Sequence, residues 1–191
     1  MSSPPPPPLD PLTRHVFFAE AAFKAKNFEE FGKITMQDSN QFHATCLDAY
    51  PPIFYMNDTS RHLISVVHAV NKAAGRLVAA YTFDAGPNCV IYTLEADQTH
   101  VLAALLSHFP AGEAAPVQGS ATAGLDFSQY VSNKELEAAA QAVALPEGVA
   151  AQAHQVAAGE VRHIYCTSMG DGPRTLSLEE SLADPATGLP K

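Results

Sequence analysis

A carboxylate at the end of an apolar run is the first feature of this sequence able to do chemistry. Asp84 closes the stretch Val78 to Phe83 and opens Asp84-Ala85-Gly86-Pro87-Asn88, a dense turn signal. A strand would fix such a carboxylate, and Gly86 would let a ligand or a backbone come close. Tyr81 and Phe83 beside it lower the local dielectric and tune its acidity, which suits general-base or charge-stabilising work. The same residue type at the same place also serves as an ordinary turn aspartate that caps backbone amides.

A second candidate lies upstream. The run Thr35-Met36-Gln37-Asp38-Ser39-Asn40-Gln41-Phe42-His43-Ala44-Thr45-Cys46 sets polar side chains into a helix otherwise apolar enough to be core. Ser39 and His43 fall one turn apart on a shared helical face. Such a cluster either satisfies its own hydrogen bonds or faces a site, and in the second case Ser39, Asn40 and His43 line a pocket.

Other chemistries are not supported. Ser39 or Cys46, His43 and Asp84 make a nucleophilic triad only on paper, because no GxSxG elbow is present. His62 and His68 are six positions apart, which is poor for one helical face, and no HExxH-like spacing occurs, so no metal site is expected. No GxGxxG follows a strand and no Walker loop is present. Gly170-Asp171-Gly172-Pro173 reads as a plain turn.

The elements that must position these residues follow from periodicity. Residues 1–10, with the Pro4–Pro8 run, read as a disordered polyproline tail, an SH3-type ligand being the other reading, and residues 11–191 as one domain. Asp10 and Pro11 open a helix with Leu12, Val16, Ala19 and Phe23 in one stripe. Asn27 marks a break. A second helical pattern runs from Phe28 to Cys46 and stops before Pro51-Pro52. Asp58-Thr59-Ser60 caps a third, with the stripe Leu63, Val67, Val70 and Ala74 and Gly75 at its end. Strands are predicted over Val78–Phe83 and Cys89–Leu94, then a helix carrying Val101, Leu102, Leu105 and Leu106. Pro110 to Asn133 reads as a long loop, Lys134–Leu145 as a helix, Val149–Ala158 as a weaker one and Arg162–Ser168 as a strand. The fold class expected is α+β, helices packed on a small antiparallel sheet.

Composition narrows the partners. The 191 residues suffice for one domain with a core, and the hydrophobic fraction of 47% excludes a chain disordered throughout. The formal net charge is −9 and the 11 Lys and Arg are scattered, so nucleic acid is not an expected partner. No apolar run is long enough to span a membrane and the first residues do not read as a secretion signal. Cys46, Cys89 and Cys166 form no CxxC pair, which suits a reducing, cytosolic setting.

Three segments together carry a resemblance: Thr35 through Asp48, Pro51-Pro52-Ile53-Phe54-Tyr55-Met56-Asn57-Asp58-Thr59-Ser60, and Ala80-Tyr81-Thr82-Phe83-Asp84-Ala85-Gly86-Pro87-Asn88, with the end Gly188-Leu189-Pro190-Lys191 in agreement. They closely resemble the C-terminal half of the diphosphomevalonate decarboxylases, in the GHMP kinase superfamily. The resemblance spans about Asn27 to Lys191 and is loosest over Ala111–Val161. It implies a GHMP-kinase C-terminal-type sandwich and an ATP-dependent carboxy-lyase of isoprenoid and sterol biosynthesis. Mevalonate 5-diphosphate would be the substrate, ATP with Mg2+ the cofactor, and homodimerisation the family's habit. It makes Asp84 the catalytic carboxylate, as base for the 3-hydroxyl or as the group orienting it, with Ala85 and Gly86 lining the site.

The departure from the family pattern is large. The half that supplies the ATP loop, the phosphate-holding lysine and arginine and the substrate serines is not seen in this sequence. The chain is therefore expected to be inactive without an N-terminal domain partner. The alternative is a non-catalytic interaction or regulatory module derived from such an enzyme. Either way, the face that packs on the other half should expose apolar area near Asp84 and favour self-association.

Overall fold

The computed structural model describes residues 11–112, 129–150, 158–173, 175, 177, 179–184 and 186–190. Asparagine sets the first helix boundary. Helix α1 (Pro11–Lys24) and helix α2 (Phe28–Asp48) are divided by Lys26 in the left-handed region, φ 53°, and by Asn27, whose side chain accepts the Glu30 amide at 3.1 Å. His15 and Asp38, 3.0 Å apart, tie α1 to α2. Among the described side chains of α1 the buried one is Ala22, whereas Val16, Phe17, Phe18 and Phe23 are exposed. Of the stripe predicted for this helix, Ala19 is half-buried, while Val16 and Phe23 stay largely exposed, Phe23 with its ring 6.1 Å from that of Phe31.

Helix α3 (Asp58–Ala74) begins one residue earlier than the sequence pattern suggests. Asn57 is the cap, and Ser60 reciprocates in a capping box. Gly75, at φ 66°, ends it in the left-handed conformation that glycine adopts without steric penalty. Val66 and Val67, each 1% exposed, place α3 at the centre of the core.

Strands β1 (Ala79–Phe83) and β2 (Cys89–Thr93) pair antiparallel, Ala79 opposite Thr93 and Phe83 opposite Cys89. Helix α2 approaches β1 closely at Gly32. A Cβ there would lie 2.6 Å from Leu77 Cδ2 and 3.0 Å from Ala80 Cβ, so a larger residue would displace the Leu77 side chain and crowd Ala80. A short 3-10 turn (Glu95–Asp97) leads into helix α4 (Gln98–His108). Arg76 forks onto Asp97 at 2.6 and 3.0 Å and clamps the entry to β1 against that turn. Helices α5 (Lys134–Gln141) and α6 (Glu147–Ala150) follow. Val66, Val67, Tyr81, Phe109 and Val149 are the largest fully buried side chains of the main core. Leu102, Ala103, Val131 and Ala140 form a second cluster between α4 and α5. The whole is an α+β arrangement of helices on a two-stranded antiparallel sheet.

Three expectations are corrected. The helix from Lys134 stops at Gln141 instead of Leu145. The helix expected over Val149–Ala158 instead begins at Glu147 and is described only to Ala150, the remainder lying outside the described residues. Arg162–Ser168 is not a strand: only Ile164 bridges, in parallel, to Val131. The segment makes one parallel bridge, Ile164 donating to the Tyr130 carbonyl and accepting the Ser132 amide, and the Cys166 amide then turns to the Ser132 hydroxyl instead of extending the ladder. The polyproline tail, Asp10 and most of the Pro110–Asn133 loop lie outside the described residues. No described helix is long and apolar enough to cross a membrane.

Candidate active site

Asp84 stands at the exposed end of β1, immediately after buried Phe83. Its Oδ1 accepts the Ala85 amide at 2.8 Å, and its carbonyl accepts the Gly86 amide at 2.7 Å. These bonds fold the chain sharply behind the carboxylate. Ala85 is exposed, and the space where a Gly86 Cβ would sit is open. Nothing among the described residues crowds this glycine; it leaves room beside Asp84.

The polar cluster of α2 closes on the same point from below. Ser39, 3% exposed, takes the Phe83 amide on Oγ at 3.0 Å. His43, 5% exposed, places Nε2 at 3.3 Å from the Phe83 carbonyl. Because a carbonyl only accepts, Nε2 carries the proton. Both backbone groups of the residue before Asp84 are thus held by one face of α2, the face that the Ser39–His43 spacing predicts. The His43 ring packs edge-on against Phe83, Phe42 and Tyr55. Asn40 is exposed one turn away and accepts the Tyr81 hydroxyl at 3.1 Å. Ser39 and His43 therefore support the strand end that carries Asp84, and Asn40 reaches the same strand through Tyr81.

One positioning residue was not singled out from the sequence. Asn71 of α3 accepts the Val78 and Ala79 amides on Oδ1 at 2.7 and 3.0 Å, and donates from Nδ2 to the Ala79 carbonyl at 2.8 Å. A lone asparagine late in an amphipathic helix carries no distinguishing signal. Between them Asn71, Ser39 and His43 fasten both ends of β1.

What the site can hold is limited. Phe83, Ala85, Gly86, Ser39, Asn40 and His43 include no lysine or arginine, so these residues offer no cradle for ATP with its Mg2+, nor for a diphosphate. Among the described residues no group of three or more His, Cys, Asp or Glu is placed to hold a metal ion. A depression of about 430 Å³ lies elsewhere, between α4 and α5, lined by Ala103, Leu106, Gln141 and Leu145. Asp84 itself is on open surface. A carboxylate in that setting needs walls from another body before it can work on a substrate shielded from water.

The family model for the mevalonate 5-diphosphate decarboxylase C-terminal domain matches residues 12–176. The diphosphomevalonate decarboxylase of Ganoderma lucidum is 43% identical over 175 residues, 90% of this chain and 40% of that protein. The Bos taurus diphosphomevalonate decarboxylase is 37% identical over 186 residues, 97% of this chain and 41% of that one. The mevalonate diphosphate decarboxylase structure from Trypanosoma brucei superposes with a TM-score of 0.71 at 28% identity, over 88% of this chain and 41% of that one. The chain thus spans about two fifths of the length of the relatives it matches. With the family model matching most of its length, the chain belongs to the family of mevalonate 5-diphosphate decarboxylase C-terminal domains.

Proposed function

We propose that this chain is the part of an ATP-dependent diphosphomevalonate decarboxylase that carries the catalytic carboxylate. The observation behind this reading is Asp84: solvent-facing, at the end of a strand whose last residue is held at both backbone groups. A carboxylate so fixed is suited to accept the proton of a tertiary hydroxyl, or to orient that hydroxyl and stabilise positive charge developing at its carbon. For mevalonate 5-diphosphate that hydroxyl is the one at carbon 3. Ala85 and Gly86 leave space for the substrate on one side. Ser39 and His43 keep the carboxylate from retreating, so little reorganisation is needed when it acts. The overall reaction spends ATP and releases phosphate and carbon dioxide. The phosphate-holding groups lie outside this set of residues, and ATP with Mg2+ belongs to the part of the enzyme beyond this chain.

That lack of cations supports a chain inactive by itself. It is equally compatible with a second reading, a non-catalytic module that pairs with a complete enzyme. The deciding experiment measures ATP-dependent carbon dioxide release from mevalonate 5-diphosphate. It uses this chain alone, then this chain co-expressed with the portion of the Ganoderma lucidum relative that it does not match. The expected result is no release alone, release on assembly, and loss of that release in Asp84→Ala. Release that survives Asp84→Ala removes the catalytic assignment. An assembled complex without any activity favours the non-catalytic module.

A further inference from the structure

Three consecutive apolar residues of α1, Val16, Phe17 and Phe18, are 62%, 57% and 49% exposed. Consecutive helical residues point about 100° apart, so no single neighbouring element covers all three. Helix α1 lies against α2 through Ala22, which is buried, and through half-buried His15 and Ala19 on the same face. Val16 and Phe23, seven positions apart, fall on one flank of that contact, where the Phe23 ring approaches Phe31. Phe17 and Phe18 fall away from it, their rings edge to face at 5.6 Å. A run of exposed apolar residues of this kind marks a surface that has a further contact to make.

That surface has the chemistry of a polyproline acceptor. Arg14 and Ala21, both exposed, stand one turn before and one turn after the phenylalanine pair. Aromatic rings pack on proline rings, and the carbonyls of a polyproline helix, which have no internal partner, accept guanidinium donors. Such a helix is extended before it binds, so docking costs little conformational entropy. The sequence supplies one directly before α1: Pro4–Pro8, with Leu9 and Asp10 between it and Pro11. Five residues in the polyproline conformation extend about 15 Å. Phe18 lies about 11 Å along α1 from Pro11. Doubled back at Leu9-Asp10, the run is long enough to lie over the pair.

We propose that Phe17 and Phe18, with Arg14 and Ala21, form an intramolecular docking site for the Pro4–Pro8 segment of the same chain. Two observations favour this occupant over a second copy. The two-residue tether holds the run at an effective concentration on the order of millimolar, so even a weak contact is occupied. Two copies, each with a formal charge of −9, repel. The consequence is a self-supplied cover: apolar area that would promote association is taken from water by the chain's own prolines. This contact is independent of the catalytic reading of Asp84.

The test uses the full chain with carbon-13 proline and reads nuclear Overhauser contacts to the phenylalanine rings, together with binding of a hydrophobic dye. The expected result is contact between proline side chains and the rings of Phe17 and Phe18, unchanged on dilution and absent when Pro4 to Pro8 are each replaced by serine. Those replacements should also raise dye binding at least about threefold, as the apolar pair becomes uncovered. Phe17→Ser with Phe18→Ser should remove the contacts. Combined with the proline replacements, it should return dye binding to the wild-type level, which shows that the dye reads this face and not a general loosening of the fold. The proposal is overturned if the wild-type chain shows no such contacts, if they survive in the double phenylalanine variant, or if replacing the prolines leaves dye binding unchanged. Contacts that fade on dilution would assign the face to the proline run of a second copy and would overturn the intramolecular site.

Discussion

Ser39 Oγ lies 3.0 Å from the Phe83 amide nitrogen and 3.4 Å from the Phe83 carbonyl oxygen, so one buried hydroxyl grips the residue that precedes Asp84. Ser39→Ala leaves a buried amide without its acceptor. The expected loss is about 1–3 kcal/mol, the desolvation penalty of an unsatisfied group. For a chain of this size each kcal/mol lowers the melting temperature by about 2–4 °C. Ser39→Thr retains the hydroxyl and should recover most of the loss. Calorimetry on the three proteins checks this, and an alanine variant as stable as the parent would show that water replaces the hydroxyl.

Asn71 makes a sharper case because its two ends do different work. Asn71→Ala removes an acceptor for two amides and a donor to one carbonyl, and about 2 kcal/mol or more should be lost. Asn71→Asp keeps the acceptor but sets a carboxylate against the Ala79 carbonyl. The folded state then favours the protonated acid, which can donate, so the acid's folded pKa is raised above its unfolded one. The variant should gain stability relative to the parent as pH falls, because the folded state binds the extra proton. Urea denaturation at neutral and mildly acidic pH measures this, and a pH-independent difference would contradict the assigned amide orientation.

Local signals in the sequence were sufficient where the physics is local. Asn27 starts α2 and Gly75 ends α3 because a side chain, or its absence, fits the cap, and both are readable within a few residues. The i, i+4 pair Ser39 and His43 is readable as a polar face in an apolar helix. Its target is not, because Phe83 lies 44 residues beyond Ser39 and no spacing rule links them. Asn71 was invisible for the same reason. Arg162–Ser168 has the composition of a strand, but strand formation depends on an available edge, which composition does not report. The catalytic role proposed for Asp84 rests on the resemblance; the turn pattern by itself is as well suited to an ordinary capping aspartate.

Asp84→Ala should separate stability from function. The side chain is exposed and bonded only to the next residue's amide, so folding stability should change by less than about 0.5 kcal/mol. Carbon dioxide release by the assembled enzyme should fall about 10²–10⁴-fold, the usual worth of a positioned acid or base. Thermal melts and steady-state rates on the same preparations provide both readings. A large loss of stability would mean that Asp84 is chiefly a turn residue.

Alkaline stability should depend on two groups the fold keeps protonated. Burial pushes the Cys89 thiol from 9.0 up to about 12, with the Thr82 backbone offsetting a little. Burial, and secondarily the Glu137 carboxylate, pushes the Tyr130 phenol from 10.0 to about 12 as its hydroxyl donates to the Phe109 carbonyl. Both folded values are raised, so the folded state holds protons that the unfolded chain has released. The associated stability is complete below the unfolded values and is lost as pH rises toward the folded ones. Urea midpoints should therefore fall between pH 9 and 12, the window the two shifts define. Cys89→Ser should flatten the earlier part of that decline and Tyr130→Phe the later part. The same burial predicts slow alkylation of native Cys89 at mildly basic pH, since the thiolate is the nucleophile. Alkylation as fast as in the urea-unfolded chain would show that the β1–β2 hairpin opens readily and that Cys89 is not held as the structure places it.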